Sequence, residues 1–143
     1  MTDHGRGNAR PRLILLVFAG GVIGTAAREA IVLALPGGGV PWGILLVNLV
    51  GSFALGFLVA ALGAGETAAR RDVRLFAGTG AIGGFTTYSA LATDTVVLLE
   101  TQPSVALAYA LGSVAAGLAC AAAGLALAGR LFPTRRPPKD AAA

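Results

Sequence analysis

Long stretches without any charged residue restrict the fold of this chain more than any other feature. They comprise residues 13–27, 40–65, 75–93 and 101–129. About 20 apolar residues in a helix cross a bilayer, and the first stretch reaches that length if it continues through Arg28 and Glu29. The pattern predicts an all-α membrane protein with four transmembrane helices, at residues 13–35, 42–63, 73–99 and 103–131.

The composition agrees with a membrane protein, because 13% of the residues are charged and 55% are hydrophobic. Soluble domains carry about 25% charged residues. The first apolar stretch follows Arg6, Arg10 and Arg12 and could also be a secretory signal, but three further spans favour a membrane helix. The single cysteine, Cys120, cannot form an internal disulfide and is interpreted as a small apolar residue. The predicted membrane domain is residues 13–131, between tails at 1–12 and 132–143.

The lysine and arginine positions predict the orientation of the chain. Ten of the 11 lie in three segments, residues 6–12, 70–74 and 130–139, which a four-span chain places on one side. The opposite connections, near residues 36–41 and 100–102, contain none. This positive-inside pattern predicts a multi-pass protein of the plasma membrane with both termini in the cytoplasm. It also accounts for the net charge of +4 without a nucleic-acid partner.

The third span contains the sequence GTGAIGGFTTYS, at residues 78–89. Each glycine costs about 1 kcal/mol in a helix interior, so this run predicts a helix that is broken at mid-membrane depth. Backbone groups freed there must line a cavity, bind an ion or be buried in protein. The run also matches GxGxxG, but it lacks the strand–turn–helix setting of a dinucleotide site. With its only histidine, His4, in a tail, the chain is not expected to be an enzyme.

Polar side chains inside the spans are the candidates for function. Asn48 is the only amide in them, and its spacing to Ser52 and Gly56 places the three on one helix face. It could hydrogen-bond a neighbouring helix or line an ion pathway. The fourth span carries a similar line, formed by Tyr109, Ser113 and Gly117.

Charged side chains within the spans allow more than one interpretation. Arg28 and Glu29 could pair with each other or extend outward, and Arg28 could instead attract anions toward a pore mouth. Asp94 follows the predicted break in the third span, where an ionisable group is a functional candidate.

Four stretches together resemble the fluoride-channel family called Fluc or CrcB: GGVIGTAARE at 20–29, WGILLVNLVGSFALG at 42–56, GTGAIGGFTTYS at 78–89, and the Tyr109/Ser113 line. The resemblance implies a passive channel that lets fluoride leave the cell and so limits its toxicity. It also implies two subunits packed antiparallel, two narrow fluoride pathways, and a structural sodium ion at the centre.

The resemblance also assigns roles to individual residues. It implies that backbone carbonyls of Gly83 and Thr86 bind the sodium ion. Four positions depart from the family pattern: Tyr88 and Leu91 replace two phenylalanines, Gly117 replaces a hydroxyl residue, and Asp94 is a shorter carboxylate than the family's acidic residue. The fluoride pathway that it implies comprises Asn48, Tyr88, Ser89, Tyr109, Ser113, Arg28, Thr87 and Asp94.

The charge bias bears on how such a dimer would assemble. An antiparallel homodimer needs one chain to insert in both orientations, whereas ten positive residues against none should fix one orientation. A hetero-pair with a similar, oppositely oriented subunit is therefore favoured over a homodimer, and a partner could supply the missing phenylalanines. Two other functions stay open. The first is a small multidrug-type, proton-coupled transporter, which needs a lone carboxylate in the first span; Glu29 is available, but the adjacent Arg28 would neutralise its charge. The second is a non-conducting membrane assembly subunit, which would pass no ion.

Overall fold

The structure is a computed structural model that describes residues 9–35, 38–63 and 67–133. These residues are helical with short connections, and they contain no strand. Most of the two predicted tails, residues 1–8 and 134–143, lies outside the described residues. The elements are α1 (Ala9–Ala34), α2 (Trp42–Leu62), α3 (Ala68–Val73), a π-helical segment (Arg74–Ile82), α4 (Gly83–Phe85), α5 (Tyr88–Thr101) and α6 (Pro103–Leu131).

Three helices in the described part of the chain are long and apolar enough to cross a membrane. They contain Pro11–Ala34, Trp42–Leu62 and Pro103–Leu131. The third predicted span, residues 73–99, is not one helix, because it is divided among the π-helical segment, α4 and α5. Both α1 and α3 begin before the predicted spans, at Ala9 and Ala68. The predicted starts follow the first apolar residues, whereas the helical hydrogen bonding already begins in the polar residues before them.

The predicted interruption of the third span lies at Thr86 and Thr87. Both have extended backbones, with ψ of 156° and 117°, and α5 starts immediately after them. The glycines of the run lie in helical backbone before the break, mostly in the π-helical segment. The break thus falls within the predicted run, residues 78–89, at its two threonines rather than at a glycine. A π-helical stretch is rare and is often found at functional sites.

Small residues allow the helices to pack at close range. The helix α2 runs along α6, α1 packs against the π-helical segment and α4, and α5 packs against α6. A Cβ atom added at Gly24 would overlap the carbonyl of Ala81, and one at Gly56 would overlap the carbonyl of Ala121. Larger side chains at these positions would force the helices apart. Small residues allow the same close approach in other membrane helix bundles.

Few large side chains are buried in the described residues, and many apolar ones face outward. Val47 is fully buried, and a small cluster contains Leu91, Leu98 and Tyr109. By contrast, Leu33 is 78% exposed and Leu118 is 73% exposed. Apolar surface of this extent suits contact with lipid or with another subunit.

Three contacts bring the arginine-rich segments to one end of the bundle. Arg12 forms an ion pair of 2.6 Å with Asp72, and Arg74 donates from Nη2 to the carbonyl of Gly63 over 3.1 Å. The rings of Phe57 and Phe132 meet with centroids 6.2 Å apart. The starts of α1 and α3 and the ends of α2 and α6 therefore share one end, as the sequence predicted. We call it the arginine-rich end; the arginines whose side chains are described there are Arg12, Arg70, Arg71, Arg74 and Arg130.

Candidate functional site

A groove of about 360 Å³ opens where the broken helix meets α2 and α6. Polar side chains line it from α2, from the break and, at Ser113, from α6, whose other lining residues are apolar or glycine. It includes four predicted pathway residues, Asn48, Thr87, Tyr88 and Ser113. We call it the break groove; its lining residues are Asn48, Ser52, Thr86, Thr87, Tyr88, Leu91, Ser113, Val114, Gly117, Leu118 and Ala121.

Asn48 binds both backbone polar groups of one residue in the break. Its Nδ2 donates to the carbonyl of Thr87 over 3.0 Å, and the N–H of Thr87 donates to its Oδ1 over 2.8 Å. One Nδ2 hydrogen is left over, since a primary amide has two. Asn48 thus links two helices and also lines the break groove, so the two roles considered for it are structurally compatible.

Thr87 begins the second half of the broken helix. Its Oγ1 accepts a hydrogen bond of 3.2 Å from the N–H of Ala90, which is the pattern of an N-cap. The same oxygen lies 3.2 Å from the hydroxyl of Ser89. On the other side of the break, Thr86 donates from Oγ1 to the carbonyl of Ile82 over 3.1 Å. The two threonines therefore bind the helix ends on either side of the break.

The carbonyls of Gly83 and Thr86 lose their usual helical donors at the break. In an uninterrupted helix they would accept from the N–H groups of Thr87 and Ala90, four residues further on. Those N–H groups instead donate to Asn48 Oδ1 and to Thr87 Oγ1. The two freed oxygens are the predicted sodium ligands, and oxygen atoms of this kind are what hard cations bind. The residues present are thus chemically suited to a sodium ion.

Arg28 lies outside the break groove and contacts the first half of the broken helix. Its Nη1 donates to the carbonyl of Gly84 over 3.2 Å, and Thr25 donates to the same oxygen over 3.3 Å. It also forms an ion pair of 3.2 Å with Glu29. The pairing of Arg28 with Glu29, which was one of the open interpretations, is present. Thr25 was missed, although it lies three residues before Arg28 and hence on the same helix face.

Tyr109 and Asp94 form a separate group behind the break groove. Tyr109 is buried and lines a second, apolar cavity of about 280 Å³ between α2 and α6. Its hydroxyl lies close enough to the Asp94 carboxyl group for the two to interact electrostatically. Neither that hydroxyl nor Asp94 Oδ2 has a hydrogen-bond partner of standard geometry in the described part of the chain. Ser113 joins the two regions, because it lines both cavities and donates to the Tyr109 carbonyl over 2.5 Å.

The two positions that depart from the family's phenylalanines both reach the break groove. Tyr88 is 79% exposed, whereas Leu91 is 8% exposed and belongs to the buried cluster. Tyr88 thus has room to meet a ligand or a second subunit, while Leu91 mainly fills space beside α6. Ser89 is exposed and contacts Thr87, but it is not part of the groove lining.

An all-helical membrane protein whose polar groups gather at an interrupted helix has the architecture of transport proteins. Comparison with known families agrees with that class. The family model described as "CrcB-like protein, Camphor Resistance (CrcB)" matches residues 15–125. The chain belongs to this family.

Curated relatives match most of the chain. "Fluoride-specific ion channel FluC 2" of Leifsonia xyli is 46% identical over 120 residues, which cover 81% of this chain and 83% of the relative. "Fluoride-specific ion channel FluC 1" of Cutibacterium acnes is 48% identical over 113 residues, covering 76% and 79%. "Fluoride-specific ion channel FluC" of Chelativorans sp. is 44% identical over 119 residues, covering 80% and 94%.

Proposed function

We propose that this chain is one subunit of a fluoride-specific ion channel, through which fluoride leaves the cell passively. The observation that carries the proposal is the similarity to curated fluoride channels over about four-fifths of the chain. The break groove supports it, because it collects hydrogen-bond donors in a region that is otherwise apolar. The ion pair between Arg28 and Glu29 argues against the proton-coupled alternative, which needs a lone carboxylate.

A fluoride pathway must replace the water that the ion loses. A bare ion costs many kcal/mol in a medium of low dielectric constant, so the lining has to offer donors. Asn48 can offer its remaining Nδ2 hydrogen, and the hydroxyls of Thr87 and Tyr88 border the same groove. Ser113 borders it too, but its hydroxyl hydrogen would have to turn away from the Tyr109 carbonyl to meet the ion. Further candidates along the pathway are Ser89 beside Thr87 and the pair of Tyr109 and Asp94. Arg28 would add positive potential near the break.

A structural sodium ion is the second part of the proposal, with the carbonyls of Gly83 and Thr86 as its ligands. Their helical donors are engaged elsewhere, so both oxygens have lone pairs to offer. The bound cation would supply a fixed positive charge beside the pathway. Purified protein should unfold at a higher temperature in sodium chloride than in N-methylglucamine chloride of equal ionic strength. Equal unfolding temperatures in the two salts would count against the site.

The third part of the proposal is an antiparallel dimer in the plasma membrane, with a similar but different subunit as the favoured partner. Both termini of this chain would lie in the cytoplasm. The gathering of arginines at one end of the bundle supports a single orientation. The break groove is open in a single subunit, with Tyr88 largely exposed, so a partner could complete it.

Growth of a fluoride-sensitive bacterium that lacks its own fluoride exporter tests the function in cells. Expression of this chain with its partner subunit should restore growth in fluoride medium, and Asn48→Asp should remove the rescue. Sensitivity to an unrelated toxic cation should not change. Rescue from that cation as well, or no rescue by the wild-type pair at equal expression, would contradict the proposal.

A further inference from the structure

A third groove, of about 250 Å³, opens between α2 and the π-helical segment at the arginine-rich end. It shares no lining residue with the break groove. One wall is apolar and extends along α2 from Leu55 to Leu62, about 10 Å at 1.5 Å per residue. The other wall carries the polar groups. The residues that matter here are Leu55, Leu58, Val59 and Leu62 on the apolar wall, and Arg74 and Thr79 opposite.

Arg74 differs from the two arginines of the described region that form ion pairs. Arg12 is paired with Asp72, and Arg28 is paired with Glu29. Arg74 donates from Nη2 to the carbonyl of Gly63, and no carboxylate in the described residues lies within ion-pair distance of it. A guanidinium has five N–H donors, so most of its donors and its full charge remain available to a ligand on the groove wall. An uncompensated, half-buried cation favours an anionic neighbour.

The position of the groove indicates what the anion belongs to. Arg74 contacts Gly63, the residue at which α2 ends, and exposed Arg70 and Arg71 lie one turn before it. In a bilayer, the end of this membrane span would meet the headgroup layer. Below Arg74 the groove is walled by leucine and valine, with Val59 52% exposed. A small hydrated anion would gain nothing from that wall.

We propose that this groove binds one anionic glycerophospholipid. Its phosphate contacts Arg74, with Thr79 as a second donor, and one acyl chain lies along Leu58, Val59 and Leu62. Basic pockets at the ends of membrane helices bind anionic headgroups in this way. The bound lipid holds the arginine-rich end in the leaflet that is rich in such lipids, and it does so whatever ion the protein conducts.

Lipid binding to the purified, assembled protein tests the proposal. Native mass spectrometry in detergent is recorded during titration with dioleoyl-phosphatidylglycerol or dioleoyl-phosphatidylcholine. The wild type should prefer the anionic lipid, and Arg74→Gln should weaken its binding by about fivefold, the loss expected for one cation near a headgroup. Arg71→Gln is the matched control, because it removes the same charge from an exposed neighbour that does not line the groove. It should change the affinity less than twofold.

A second variant separates lipid binding from folding. Val59→Trp fills the apolar wall at an exposed position and leaves every charge in place, so it should also weaken phosphatidylglycerol binding. Arg74→Lys should keep most of the preference. The proposal is overturned if both glutamine variants lose affinity equally, if the two lipids bind alike, or if Val59→Trp binds as the wild type does. Displacement of the lipid by millimolar inorganic phosphate would also overturn it, since that would indicate a site for free anions.

Discussion

At the residue scale, Asn48 both stabilises the break in the third span and lines the break groove. Its amide binds both backbone groups of Thr87, which uses one of its two Nδ2 hydrogens, and the residue also lines the break groove. A buried backbone group without a partner costs about 1–3 kcal/mol, so no apolar side chain can replace Asn48. The residue holds the broken helix in shape and keeps one donor that the contact with Thr87 does not use.

Substitutions at Asn48 should separate these two roles. Asn48→Asp keeps an acceptor for the N–H of Thr87, whereas Asn48→Ala keeps neither hydrogen bond. If Asn48 only supports the break, the aspartate variant will be the milder one. We expect instead that Asn48→Asp abolishes fluoride efflux while the dimer stays intact, because a negative charge in the groove repels the anion. Efflux from liposomes and size-exclusion chromatography measure the two quantities, and normal efflux from Asn48→Asp would refute the pathway role.

Thr87 allows a test of the cap that starts α5. Thr87→Val preserves the shape of the side chain but removes the Oγ1 that accepts from Ala90. It should lower the free energy of unfolding by about 0.5–2 kcal/mol, whereas Thr87→Ser should be close to the wild type. Thermal unfolding in detergent measures the difference. Equal stability of the valine and serine variants would show that the cap contributes little.

At the element scale, the broken helix depends on the helices that surround it. Its first half packs against α1 through glycines, and its second half packs against α6. Arg28 and Thr25 hold the carbonyl of Gly84 before the break, and Asn48 holds Thr87 after it. Contacts from α1 and α2 thus fix the ends of the two halves, so that two consecutive residues can leave helical geometry without leaving Thr87 unsatisfied.

A pair of neighbouring glycines in α1 tests this packing. A Cβ at Gly24 would overlap the carbonyl of Ala81, whereas one at Gly21 would meet nothing within 4 Å. Gly24→Ala should therefore destabilise the protein by about 1–3 kcal/mol, as overpacking does, while Gly21→Ala should be tolerated. Both variants exchange the same residue types on one helix. Equal changes in the unfolding temperatures of the two variants would show that the close contact at Gly24 does not limit stability.

The sequence predicted an interruption of the third span within residues 78–89, but not which residues of that run leave the helix. The glycine run marked the region, yet its glycines serve close packing, as Gly80 does against Gly20 and Val17. The break itself lies at Thr86 and Thr87 because Asn48, 39 residues earlier, binds the backbone there. Such a contact between distant residues leaves no periodic pattern in the sequence. The groove at Arg74 was missed for the same reason, whereas the spacing of Thr25 to Arg28 was a signal that could have been used.

At the scale of the whole molecule, the distribution of charge and the open break groove both fit the proposed pairing with a second, oppositely oriented subunit. The described arginines other than Arg28 lie at one end of the bundle, which favours one orientation in the membrane. The break groove remains open, and many apolar side chains face outward. In the proposed antiparallel dimer, the oppositely oriented partner would cover the groove.

Expression of this chain alone with a topology reporter at its C-terminus tests that assembly. The reporter should appear only in the cytoplasm. Replacing Arg70, Arg71 and Arg74 by glutamine still leaves seven positive residues against none, so that variant should also keep the reporter in the cytoplasm. Dual topology of the wild-type chain would favour a homodimer over the hetero-pair.

Fluoride efflux from liposomes tests the central claim most directly. Vesicles loaded with potassium fluoride receive this chain together with its partner subunit, and valinomycin is added to balance charge at equal pH on both sides. The account predicts rapid fluoride release without a proton gradient, no comparable release of chloride, and loss of release in Asn48→Asp. Release that requires a proton gradient would identify a coupled transporter instead. No release from well-folded, reconstituted protein would contradict the channel itself.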